Sequence, residues 1–544
     1  KLLENAYGIS LPLKSAKILP SSYNITCTVE NGNTIVFELD KPRKVVVLPN
    51  YDEAWDIYVQ KGVGHKPISS WKANYAVEKN YDTYHGKGLS NSLTEGYVNP
   101  LFLFAHGPET RKPKQESDKT LFVAPSDNIT QSLLDGYDTV CFTPGIYDLS
   151  EIHELPWQHT FIRKGQTFYL EGGAYVQARI MSEKDGNGVS SVVGRGIISG
   201  LAHRWVRSSE YGSQIMHVDS IIGITVTDRA GFGIYEGRYI GDMAIIGAWH
   251  GNTDAMDYID NCLIEDCFLL AHDDNLKLND NSHFKNGVIW QAPNAHAIMV
   301  KEISRDGTHF YGSIVEDVDV ITYLPGSDWD NPWPQVSAGV IGCVTAMEDF
   351  SINNFTFKNI RVESPYIYRL LSVYNLNTNL INPGWFIQTT DVEHTNIYGM
   401  RFENITVNSP VICYRSLIGS DYENSLYDIE LNDIQINGVL VDESNIDEYF
   451  EIDYDKINGF RLNHASISQR GKEKISPISF YPNPVRNTLY INKPLSTQVE
   501  IYNSMGKLML ASKSDVIDVS KLIPGVYIIR IAEPEVYTGK FIKQ

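Results

Sequence analysis

Ile264-Glu265-Asp266-Cys267-Phe268-Leu269 and Phe284-Lys285-Asn286-Gly287-Val288-Ile289 follow one template: apolar, any residue, Asn, Asp or Gly, small or apolar, any residue, apolar. The template returns at Val315-Glu316-Asp317-Val318-Asp319-Val320, Phe357-Lys358-Asn359-Ile360-Arg361-Val362, Phe402-Glu403-Asn404-Ile405-Thr406-Val407 and Leu431-Asn432-Asp433-Ile434-Gln435-Ile436. Start positions lie 20, 31, 42, 45 and 29 residues apart. Looser copies extend the series to Ile221-Ile222-Gly223-Ile224-Thr225-Val226 and to Leu462-Asn463-His464-Ala465-Ser466-Ile467. Each run is a short strand that cannot bury its apolar side alone, so successive copies must stack. Unequal spacing then means a fixed coil with loops of unequal length thrown outward. A β-sandwich would instead place hairpins about 8–12 residues apart. The pattern predicts an all-β chain built on a right-handed parallel β-helix. Apolar residues should point inward, and the Asn or Asp should sit at a bend, bonded to backbone of neighbouring coils.

On either side the chain reads differently. Asn24-Ile25-Thr26-Cys27-Thr28-Val29, Thr34-Ile35-Val36-Phe37-Glu38-Leu39 and Lys44-Val45-Val46-Val47-Leu48 are β-favouring runs bounded by Asn, Gly, Asp or Pro. Sequential hairpins of this kind predict an N-terminal β-sandwich over residues 1–125, followed by the β-helix over 126–472. Phe480-Tyr481-Pro482-Asn483-Pro484-Val485 and Leu522-Ile523-Pro524-Gly525-Val526-Tyr527 belong to a third part, a small C-terminal β-sandwich with Pro and Gly turns over 473–544.

Composition narrows the function. At 544 residues the chain exceeds what one hydrophobic core supports, in line with several domains. A formal charge of −20 argues against nucleic acid as a partner, since that binding rests on phosphate neutralisation by Lys and Arg. Aromatics make up 11% of residues, enough both to fill β-rich cores and to stack on sugar rings. Apolar runs stay shorter than the roughly 18 residues of a membrane span, so none is expected. Lys1-Leu2-Leu3-Glu4 has no signal-peptide features, which implies a leader already removed or a trimmed start. Cys27, Cys141, Cys262, Cys267, Cys343 and Cys413 show neither zinc spacing nor a dense disulfide framework, and buried thiols are expected.

The densest chemistry is Trp249-His250-Gly251-Asn252-Thr253-Asp254-Ala255-Met256-Asp257-Tyr258, followed by Ala271-His272-Asp273-Asp274-Asn275-Leu276-Lys277. Asp254 and Asp273 are 19 residues apart, close to the 20 that separate the repeats at 264 and 284. That is one coil. Asp254 should lie beneath the Asp273-Asp274 pair, offset by the inter-strand spacing of roughly 4.8 Å. Clustered carboxylates raise one another's pKa, so one can stay protonated as an acid while another serves as a base. Glycosidic cleavage needs that pairing, and carboxyls about 6.5–9.5 Å apart leave room for water and give inversion. An Asp-Asp pair on a solvated turn or a calcium site are the other uses of such residues. Lys277 fits a salt bridge, a substrate contact or a lyase base. Tyr235, Trp249, His250, Tyr258, Trp290, His296, Trp329 and Trp333 stand in or near the long coils around the acids and can form sugar subsites, though each aromatic taken singly fits core packing as well.

These residues resemble glycoside hydrolase family 49, the dextranases and isopullulanases. The likeness rests on Asn252-Thr253-Asp254, the 19-residue step and His272-Asp273-Asp274-Asn275-Leu276-Lys277, with Gly194-Arg195-Gly196-Ile197-Ile198-Ser199-Gly200 before them. It implies that Asp273 is the general acid and that Asp254 and Asp274 hold and activate water. It also implies inversion, an α-glucan substrate, and neither a metal nor another cofactor. Asn252, His272 and Lys277 would join the aromatic residues in binding the polysaccharide. The last 70 or so residues resemble the C-terminal sorting domain of the type IX secretion system, through Tyr481-Pro482-Asn483-Pro484 and Pro524-Gly525-Val526-Tyr527. That implies the secretion machinery as a partner and a secreted or cell-surface protein of a Bacteroidetes-type bacterium. Three other readings stay open: a hydrolase of a marine galactan or fucan, a calcium-dependent polysaccharide lyase, and a non-catalytic carbohydrate-binding β-helix.

Overall fold

The third residue of each repeat is a corner. Asp266, Asn286, Asp317, Asn359, Asn404 and Asp433 have φ between 50° and 56°, and Gly223 and Asn463 of the looser copies have 78° and 50°. This left-handed region crowds Cβ against carbonyl oxygen, and Asn, Asp and Gly enter it most readily. Strands flank the corner on both sides, as Leu263–Glu265 and Phe268–Ala271 flank Asp266. The first apolar residue of one repeat then stacks on that of the next. Ile264 pairs in parallel with Phe284, Phe284 with Val315, Val315 with Phe357, Phe357 with Phe402 and Phe402 with Leu431. All six side chains are buried in one continuous core. The Phe357 and Phe402 rings lie 5.1 Å apart and almost parallel.

The structure, a computed structural model, describes residues 3–4, 10–11, 13–50, 100–109, 112–114, 117–152, 159–203, 212–229, 231–247, 253–291, 296–300, 309–323, 339–345, 351–364, 366–376, 395–412, 414–463, 465–466, 480–481, 485–491, 498–503, 507–532 and 536–543. Among these residues, the coils build a 22-stranded sheet folded across the corner and an 11-stranded sheet running from Thr160–Ile162 to Phe450–Ile452. A five-stranded sheet from His309–Tyr311 to Ile457–Asn458 adds a further face to the later coils. Strand-to-strand crossovers of one hand make this a right-handed parallel β-helix. Its first strand is Thr120–Val123, paired in parallel with Thr139–Phe142. At the far end the antiparallel additions Val439–Leu440 and Ala465–Ser466 interrupt the parallel stacking and blunt the exposed edge.

The N-terminal strands form a sandwich. Ala16–Leu19, Lys44–Pro49 and Leu101–Phe104 make an antiparallel sheet whose Ile18, Val45 and Val47 face Ile25, Ile35 and Phe37 around the hairpin Cys27–Glu30/Thr34–Phe37. Alternation along the strands sends Leu19, Val46, Leu48 and Phe102 the other way, onto Phe268, Leu270, Val288 and Trp290 of the β-helix. Trp290 is therefore packing rather than a sugar platform, its ring 5.5 Å from that of Phe102 at 72°. The corner Asp242 anchors the same interface, at 2.6 Å from Lys44, 3.0 Å from His106 and 3.2 Å from Arg195.

Residues Ser468–Gln544 form a separate compact unit. Its three-stranded and four-stranded antiparallel sheets enclose Val485, Leu489, Ile501, Ile517, Ile529 and Phe541. Cys27, Cys141, Cys262, Cys267 and Cys343 are free thiols.

Candidate active site

Two successive coils carry the acids across one corner of the solenoid. In the lower coil Ala244–Gly247 leads to Asp254 and the strand Met256–Ile259; in the upper, Phe268–Ala271 leads to Asp273, Asp274 and Leu276–Leu278. The Ala255 N–H donates to the Asp274 carbonyl at 2.9 Å, and that of Met256 to the Asn275 carbonyl at 3.1 Å. Asp254 therefore lies directly beneath Asp274, a step of 20 (274 − 254), one rung of roughly 4.8 Å. Asp273 stands one residue outside that register. The next rung up places His296 on Asp274, since Leu276 pairs with Ile298 and Asn275 N–H donates to the His296 carbonyl.

Lys277 joins the two rungs. Its Nζ is 2.6 Å from Asp254 Oδ2 and 3.2 Å from Asp274 Oδ2, above the Phe232 ring at 5.7 Å. Its position depends on an irregularity in the ladder. Asp257 and Tyr258 together span the gap opposite Lys277, with Tyr258 at φ 54°, a bulge that turns the strand locally. Exposure falls inward, from 19% for the Lys277 side chain and 8% for Asp273 to 2% for Asp274 and 1% for Asp254.

Neighbouring charges split the acids. Burial pushes the Asp254 carboxyl well above the usual carboxylate range; Lys277 opposes this, and Asp273, Asp274 and Asp257 add to it. Burial works the same way on Asp274, but Lys277 and His296 outweigh it and hold that carboxyl low. The His296 backbone N–H donates to Asp274 Oδ1 at 2.9 Å. For Lys277 burial disfavours the charge, yet Asp254, Asp257, Asp274 and Asp273 outweigh it and lift its pKa well above the ordinary lysine value. Neighbouring carboxyls pushed in opposite directions are the condition for acid and base roles in one site. Asp254 Oδ1 is buried and has no hydrogen-bond partner among the described residues, which adds to the cost of ionising this carboxyl.

Neutral amides hold the bend that carries Asp273. Gln291 Nε2 donates to the Asp273 carbonyl at 2.9 Å, and Asn275 Nδ2 donates to Gln291 Oε1 at 2.6 Å. Both residues are fully buried. Tyr235 and Tyr258 pack ring to ring at 4.7 Å on the outer file of the second sheet, where Tyr235 pairs with Asp257 and so leads toward Lys277. His272 is half-buried beside Asp273. Trp249, His250, Asn252, Trp329 and Trp333 lie outside the described residues. Gln291 and Arg229, whose guanidinium reaches the Asp254 carbonyl, carried no signal in the sequence. The first ends an apolar run and the second sits in the polar stretch Asp228-Arg229-Ala230-Gly231, which reads as an ordinary turn.

Comparison with known proteins bears on the fold that carries these residues. Isopullulanase of Aspergillus niger is 23% identical over 359 residues, covering 57% of this chain and 60% of that protein's length. Among solved structures, Dex49A from Penicillium minioluteum superposes with a TM-score of 0.60 at 18% identity, over 82% of this chain and 78% of that one. Residues 479–544 match the family model of the secretion system C-terminal sorting domain, which marks the chain for export by the type IX route. The chain thus joins a β-helical body similar to family-49 glycoside hydrolases to a secretion system C-terminal sorting domain.

Proposed function

We propose that this is an exported glycoside hydrolase that cleaves a polysaccharide with inversion, an α-glucan such as dextran or pullulan being the leading substrate. One observation carries the reading: Asp254 and Asp274 stack one rung apart beside Asp273, with their pKa values driven in opposite directions. In the assignment that the family-49 likeness suggests, Asp273 protonates the leaving oxygen, while Asp254 and Asp274 hold water for attack on the opposite face of the sugar. The substrate class is supported by the kinship with a protein named isopullulanase. The division into 1–125, 126–472 and 473–544 remains part of this reading, with the strand Thr120–Val123 counted to the β-helix it pairs with.

A second assignment within the same chemistry is favoured by the electrostatics. Asp254 is the acid that burial drives upward, so it would carry the proton at rest, with Asp274 as the base. Substitution separates the two. Asp273→Asn should leave a folded chain whose kcat falls by roughly 10²–10⁴. If Asp273 is the acid, the basic limb of the pH–rate profile disappears in that variant; if Asp254 is the acid, it disappears in Asp254→Asn. Product NMR on a panel of dextran, pullulan, galactans and fucans reports bond and anomeric outcome together. Unsaturated products absorbing in the ultraviolet, or retention without cleavage, would overturn the hydrolase reading.

A further inference from the structure

Arg229 is fully buried, yet among the described residues no carboxylate lies within ion-pair distance of it. Its guanidinium is spent on backbone instead. Nη1 donates to the carbonyl of Asp254, and Nη2 donates to the carbonyls of Gly247 and, at 3.2 Å, Leu270. Gly247 ends the strand that leads toward Asp254, and Leu270 lies in the strand that leads to Asp273. The two strands pair, Ile246 on Leu270 and Gly247 on Ala271. One cation therefore closes the corner of both acid-bearing coils. The fork is suited to this because its donors are fixed in one plane, whereas a lysine ammonium offers a single point.

Space is kept for it. A Cβ on Gly233 would meet the Ala255 carbonyl at 2.4 Å and Arg229 Cδ at 3.3 Å, so the bare backbone there admits both. Capping buried carbonyls alone would not require a charge, since the neutral amides of Asn275 and Gln291 do that work at the Asp273 bend. Burial lowers the guanidinium and the Asp254 carboxylate opposes it, leaving it at about 10. The group thus stays charged at neutral pH and interacts with Asp254. The groups facing Asp254 are Lys277, Asp273, Asp274 and Asp257, with His296 one rung beyond Asp274.

We propose that Arg229 is a positioning residue of this site: it sets Asp254 against Asp273 and Asp274 by bracing both coils, and its positive charge eases ionisation in a pocket crowded with carboxylates. The proposal rests on the hydrolase reading of Asp254. Kinetics of Arg229→Met and Arg229→Lys, on the panel polymer that the unaltered chain cleaves, test it. Arg229→Met should lower kcat on the order of 10²-fold, as expected for a misplaced reacting group, with KM within about threefold. The limb of its pH–rate profile that Asp254 controls should move up by about one pH unit as the countercharge is lost. Arg229→Lys should return the limb to its place but recover turnover only in part. In an Asp254→Asn background, Arg229→Met should produce no further shift of the limb. A folded Arg229→Met with unchanged kcat, or one whose kcat falls while the profile stays put, overturns the proposal and leaves a backbone cap. Should Arg229→Met fail to fold, Arg229→Lys decides, and full turnover in that variant overturns it too. Full activity in Asp254→Asn alone would instead sink the reading of the site.

Discussion

Asp254 is the residue at which function and stability oppose each other. Its carboxyl is raised above the usual range by burial, so the folded chain holds that proton more tightly than the unfolded chain does. A raised acid leaves the fold at full stability below the ordinary carboxylate pKa. Stability is lost as pH rises through the folded value. At pH 8 Asp254→Asn should therefore melt higher than the unaltered chain while its activity falls, and the gain should vanish when melting is repeated near pH 4. A lower melting temperature at both pH values would mean that Lys277 needs Asp254 more than the pocket suffers from it. Such exchanges are usual where an active site stores unfavourable charge. The acids were legible as a group, because their spacing matched the coil. Their unequal environments were not, since these come from Lys277, His296 and the bulge at Asp257-Tyr258.

Corners are the repeated element on which the coils depend. Asn404 has φ 50° and its Nδ2 donates to Asn359 Oδ1 on the coil below at 2.8 Å. Asn404→Ala would keep the left-handed backbone without that bond, a loss of about 1–2 kcal/mol. Asn404→Gly accepts the conformation freely and should lose less. Urea unfolding of the two variants checks the order; equal losses would assign the effect to the side-chain bond rather than to the backbone. This element could be read from the chain because Asn and Asp occur at a fixed offset from the apolar positions. The face opposite a corner is less readable. Trp290 could be read either as packing or as part of a subsite, and only the fold shows that it belongs to the contact with Phe102 of the sandwich. An aromatic in a strand buries itself against whichever layer arrives, and that layer lies far away in the chain.

At the scale of the molecule, the sandwich is tied to the β-helix by apolar contact and by the cluster at Asp242. Burial alone would raise the Asp242 carboxyl, but His106 and Lys44 outweigh it and bring it down to about 2. A lowered acid stabilises the fold above the ordinary carboxylate range, and the contribution is lost as pH falls from about 4 toward 2. Limited proteolysis of the sandwich should accelerate over that window. Asp242→Asn should show the same acceleration at neutral pH, with a loss on the order of 2 kcal/mol, less than for a sealed pair because Asp242 is 30% exposed. Cleavage unchanged in both cases would leave the apolar contact as the whole of the attachment. Period and turn chemistry are local properties, so the chain announced the solenoid, its corners, the acid-bearing coils and the exported tail before any coordinates. The Lys277 countercharge joins Asp274 in its own coil to Asp254 in the coil below, and the Arg229 contacts and the sandwich seated on Trp290 join residues tens to hundreds of positions apart, with no constant interval between them. Contacts of that kind leave no period to read; they exist once stacking has brought the coils together.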